Sequence, residues 1–188
     1  MPPDTPIETA VERVHSCTPA DIEEILRERG WFSTEDEEGL QPAPALREWL
    51  SRAAELLGPH AVTRKDLGDF LDLLFAYDAA ELLRRYENQE VLARTGAREV
   101  LRELANRVLE GEDIDSDRFK QIVENLKSVV PYRSRAMFHP IRLALAGRAG
   151  EGELDRVILL VDPASKLDFA VHVKSTRQRM LEFCAALD

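Results

Sequence analysis

Arg142 stands in an apolar run. In MFHPIRLALAGRAGEGEL, residues 137–154, it lies between Ile141 and Leu143, after a His139–Pro140 step and before a glycine-rich acidic turn. A guanidinium in such company has three outlets: it snorkels past its neighbours, pairs with a buried acid, or points at a ligand. Its flat, five-donor fork suits a carboxylate, a phosphate or the edge of a base. The residues of the run leave all three open. Gly147 suits a left-handed residue that ends a helix. Gly147, Gly150 and Gly152 do not follow a strand, so they are not read as a nucleotide-binding loop.

The rest of the chain offers little catalytic chemistry. It has no GxxxxGK[ST], no GxSxG and no HExxH. His15, His60, His139 and His172 fall in separate predicted elements, with no nucleophile or orienting acid in view. Cys17 and Cys184 lie at opposite ends without a CxxC, which argues against a disulfide framework and a zinc site and favours a reducing, cytoplasmic compartment. No signal sequence is apparent at Met1, and no apolar run approaches the roughly 18 residues of a membrane span. These features predict a soluble binding module with no metal and no cofactor, and not an enzyme.

Helices must position the arginine. Capping boxes open at Thr5 (TPIE), Thr18 (TPAD) and Thr63 (TRKD), and Asp78 restarts a helix. Ile22, Ile25 and Leu26 mark a buried face that Gly30 ends. Leu46, Trp49, Leu50, Ala53 and Leu57 form a stripe closed by Gly58–Pro59; Leu67, Phe70, Leu71 and Leu74 form the next. Val100, Leu101, Leu104 and Val108 give another helix, and Phe119, Ile122, Val123 and Leu126 one capped by Ser116. Pro140 is placed in a first turn with His139 on the cap side. Leu154, Val157, Ile158 and Val161 begin the helix after the turn. Phe169, Val171 and Val173 alternate like a strand, although the stretch fits a helix as well. The acidic stretch 35–38 between two prolines and Gly30 reads as a solvated loop. The fold class is all-α, a helical bundle or short superhelix.

The chain has 188 residues and a formal net charge of −10. The charge is uneven. Residues 118–148 carry seven Arg and Lys against Glu124 alone, a local footprint for an anionic partner. The change of sign near residue 116 suggests an acidic N-terminal helical subdomain over 1–115 and a second over 116–188.

The stretch FHPIRLALAGRAGEGELDRVILLV resembles the signature of the C-terminal anticodon-binding domain of bacterial-type, class I glutamyl-tRNA synthetases, with Pro140, Arg142, Leu145, Gly147 and Leu154 in register. RKDLGDFLDLLFAYDAAELLRR and VLRELANRVLE are similar to helices that precede it in that family. The likeness spans residues 60–188 and fades before them. It implies a domain that holds a tRNA of the glutamate type by its anticodon loop, with Arg142 and Leu154 at the bases and the turn Arg148–Glu153 close by. Basic side chains at Lys127, Arg133, Arg135 and Arg148 are expected to hold phosphates. The sequence departs from the family where Ala146 replaces a threonine and the turn gains acids. The synthetase's HxGH and KMSKS-like motifs are absent, so the chain is expected to bind tRNA without aminoacylating it, alone or beside a separate synthetase or other catalytic protein. The alternatives are an acidic protein-interaction or regulatory module that kept the fold and lost the RNA, or the C-terminal part of a split or truncated synthetase.

Overall fold

The computed structural model describes residues 16–32 and 43–188, so the expected cap at Thr5 and the acidic stretch 35–38 lie outside the described residues. Among those described, there are ten α-helices and no strand: α1 Pro19–Glu28, α2 Pro44–Leu57, α3 Arg64–Phe75, α4 Ala79–Arg84, α5 Tyr86–Ala93, α6 Ala97–Glu110, α7 Ser116–Val129, α8 Ser134–Ala146, α9 Glu153–Ser165 and α10 Thr176–Leu187. A 3₁₀ turn, Gly58–His60, follows α2. The all-α expectation holds.

Local chemistry sets most of the helix starts. Thr18 and Thr63 close capping boxes with Asp21 and Asp66, and the Asp78 carboxylate accepts the Glu81 amide at 2.9 Å. At α7 the cap is Asp115 rather than Ser116. Its carboxylate accepts the Arg118 amide at 2.7 Å, a stronger acceptor than a hydroxyl at the positive end of the helix. The start expected at His139–Pro140 is also displaced, because α8 already runs from Ser134 and Pro140 sits in its interior. Proline there gives up the bond to the Ala136 carbonyl, a loss of about 3 kcal/mol in an exposed helix. Burial of Met137, Pro140, Ile141 and every residue from Leu143 to Ala146 outweighs it. The 169–173 stretch is neither strand nor helix. It is irregular chain, held where Phe169 meets Trp49 and Phe75 edge-on and the Ala170 amide donates to the Trp31 carbonyl at 2.8 Å.

Packing centres on α8, α9 and α10. α2 and α3 lie against α9, α6 against α8 and α10, and α4 against α10. The buried apolar cluster runs without a break from Ile22 to Phe183. Two buried charges tie it together. Arg179, fully buried, donates to the carbonyls of Lys174, Leu145 and Leu74 and lies over the Tyr77 ring, 4.5 Å from its centre; burial lowers its pKa to about 10, which leaves it charged at neutral pH. Asp162 accepts the Ile114 amide and both the amide and the hydroxyl of Thr176, joining α9, the loop before α7 and the first turn of α10.

Candidate nucleic-acid interface

The hairpin α8–turn–α9 is built around Arg142. Gly147 ends α8 in the left-handed conformation, φ +87°, and its amide is shared between the carbonyls of Arg142 and Leu143 at 3.1 Å each. A Cβ there would stand 3.2 Å from the Tyr77 ring, a tight contact that adds to the backbone angle's demand for glycine. The chain turns through residues 148–152 and enters α9 at Glu153. Arg142 spans that turn: Nε donates to Asp155 Oδ1 at 2.8 Å, Nη2 to Oδ2 at 3.0 Å, and Nη1 to the Gly150 carbonyl at 2.8 Å. Its guanidinium lies 4.7 Å from the centre of the Phe138 ring. The structure thus shows the acid-pairing outlet, with Arg142 only 7 % exposed.

Leu154, the other residue expected at the bases, is fully buried beneath the turn, and so is Ala146. The basic residues divide into two groups. Arg135 and Arg148 reach solvent beside the turn. Arg135 pairs with Glu151 at 3.1 Å, both well exposed, and Arg148 lies 5.6 Å over the Phe70 ring without an ion pair among the described residues. Lys127 and Arg133 sit at the end of α7. Lys127 pairs with Glu124 at 2.7 Å, while Arg133 donates to the carbonyls of Lys127, Val130 and Tyr132 and so caps that helix. Surface pairs such as Arg135–Glu151 and Lys127–Glu124 contribute about 0–1 kcal/mol, so both cations exchange partners at little cost.

His139 joins the turn to α5. Its Nδ1 lies 3.2 Å from Arg94 Nη1, and its Nε2 lies 4.0 Å from Glu151 without a hydrogen bond. Burial, and then the Arg94 charge, hold its pKa below the ordinary histidine value. Neither cysteine is activated as a nucleophile. Cys17 is pushed up to about 11 by burial, and Cys184 is raised by burial as well, so neither is a ready thiolate. No group of three or more potential metal ligands forms among the described residues, and no described helix is long and apolar enough to cross a membrane.

Sequence reasoning did not find Asp155, the partner that fixes Arg142. Its signal is slight: a carboxylate in the first turn of a helix, thirteen residues from the arginine. Asp162, a carboxylate inside the apolar run of α9, was similarly visible but unassigned.

Residues 14–164 match the family described as anticodon binding domain. The match begins well before residue 60, where the likeness read from the motif fades, so it takes in α1 and α2. Glutamate–tRNA ligase 2 of Syntrophus aciditrophicus (strain SB) is 30 % identical over 123 residues, which make up 62 % of this chain and 24 % of that protein. The chain therefore spans about a quarter of that relative's length. No solved structure matches.

Proposed function

The chain belongs to the anticodon-binding-domain family, and on that premise we propose that it binds the anticodon arm of a tRNA of the glutamate type and performs no aminoacylation itself. The observation that carries this reading is the hairpin α8–turn–α9 inside the matched region. Its turn is clasped by Arg142 and flanked by exposed Arg135 and Arg148 on an otherwise acidic chain. Unpaired loop bases are recognised by shape, stacking and hydrogen bonds to their edges, while cations around them hold the phosphates. Arg135, Arg148 and Lys127 have the exposure and loose pairing for the phosphate role. Arg142 and Leu154 act from beneath, the first by fixing the course of the turn and the second by anchoring it in the core. Arg133 contributes through the end of α7, which it caps. The cytoplasm, where tRNA is charged, is the corresponding compartment.

Purifying the protein from its host at low salt and sequencing the RNA that accompanies it tests this reading. Enrichment of glutamate-type tRNA is the expected result. A preparation free of tRNA that retains a defined protein partner after nuclease treatment would instead favour the protein-interaction reading, which the net charge of −10 supports.

A further inference from the structure

A groove between α7 and α9 opens beside the Arg142 clasp. Every nitrogen of the Arg142 guanidinium already donates to a protein oxygen, two of them to one carboxylate. Beside it opens a cavity of about 680 Å³, a volume in the range of nucleotide-sized ligands. Phe119, Val123, Phe138 and Leu159 give it apolar walls.

The charges around this groove are not equivalent. Asp155 is held by Arg142 and Glu124 by Lys127. Lys120 stands 3.7 Å from Asp117, with both side chains largely exposed, a contact too loose to hold it. Arg156 is exposed and forms no ion pair among the described residues, and Glu153 is likewise without one. What remains is a donor fork at Arg156, an acceptor at Glu153, the polar groups of His60 and Ser116, apolar and aromatic surface between helices, and a loosely paired ammonium at Lys120. A flat, weakly polar face with a donor and an acceptor along one edge is the complement of that set, and a phosphate alongside satisfies the lysine. A nucleobase in an RNA strand has that form.

We infer that this groove receives one unpaired base of an RNA loop, read at its edge by Arg156 and Glu153, with Arg142 a positioning residue that holds the turn forming the groove's wall. The inference rests on the RNA-binding reading above. An arginine fork donates to ring nitrogen or carbonyl acceptors and a carboxylate accepts from an exocyclic amine. The groove therefore prefers a base that carries an amino group beside an unprotonated ring nitrogen, such as cytosine, over uracil.

The test uses the full chain and synthetic RNA hairpins carrying an anticodon-type loop, with each loop position changed in turn from cytosine to uracil. Affinity is followed across a range of salt for wild type, Arg156→Ala and Arg156→Lys, all at an exposed site that leaves the core intact. Wild type is expected to discriminate about tenfold at one loop position. Arg156→Ala and Arg156→Lys are expected to lose that discrimination, since an ammonium cannot replace the planar fork, while the salt slope of Arg156→Lys is unchanged. Unaltered discrimination in Arg156→Ala overturns the inference and leaves the RNA-binding reading standing. So does a uniform loss of affinity with a smaller salt slope, which would make Arg156 a phosphate contact. A wild type that binds no hairpin overturns both.

Discussion

Arg142 and Asp155 meet edge to edge, two nitrogens on two oxygens at 2.8 and 3.0 Å, across a turn that neither residue belongs to. The pair closes the hairpin from inside, and the same guanidinium holds the Gly150 carbonyl. Removing either partner strands a largely buried charge. Arg142→Ala and Asp155→Ala are each expected to lower the unfolding free energy by about 3 kcal/mol. The double variant should fall well short of their sum, because the second change relieves the charge that the first one stranded. Urea unfolding of the four proteins measures the coupling; additive losses would show that the pair contributes nothing.

Gly147 and Gly30 both adopt a left-handed backbone, φ +87° and +69°, but only Gly147 faces a neighbour, the Tyr77 ring. Gly30→Ala should cost the conformational term alone, about 1 kcal/mol. Gly147→Ala should cost more, because the Tyr77 ring is itself held through its hydroxyl on the Ala144 carbonyl at 2.6 Å and cannot withdraw freely. Thermal unfolding of the two variants ranks them.

The caps make stability sensitive to acid. The Asp66 carboxylate accepts the Thr63 amide at 2.8 Å, and the Thr63 amide and hydroxyl together hold its pKa below the ordinary carboxylate value. A carboxyl whose folded pKa is depressed adds stability above its unfolded value, near pH 4, and that contribution is lost as the pH falls through the lower folded value. Asp66→Asn should therefore lose less stability than wild type between about pH 5 and about pH 3. Denaturation midpoints at the two pH values check this, with an equal loss counting against the cap's role.

How much of this was legible in the sequence follows from range. Thr18, Thr63 and Asp78 could be read as caps because the groups that satisfy them lie three residues away. Gly147 could be read as a stop because its backbone angle is a local demand. The start of α8 could not, since the local rule for Pro140 is overruled by burial against other helices. The fate of Arg142 was left open for the same reason: its partner lies thirteen residues on, at a distance set by a turn whose path the sequence does not specify. Arg179 and Asp162 show this most clearly. Asp162 is a charge within an apolar helix and Arg179 one in the polar first turn of α10, but the carbonyls and amides that satisfy them come from α3, α8, α10 and the loop before α7. The segment excess of cations between residues 118 and 148 was visible, whereas its division into Arg133, bound to backbone carbonyls as a cap, and Arg135 and Arg148, without such bonds, needed the fold.

The most direct test of the central claim is the salt dependence of binding to a glutamate-type anticodon hairpin, compared between wild type and Arg148→Glu. Arg148 is exposed and covers only the Phe70 ring, so thermal unfolding of the variant checks that its fold is kept. The wild type is expected to bind with an affinity that falls steeply with salt, and Arg148→Glu to bind more weakly at every salt concentration with a slope smaller by at least about 0.7, the contribution of one single-strand phosphate contact. A wild type that fails to bind the hairpin at low salt, or an Arg148→Glu variant with unchanged affinity and slope, would contradict the account.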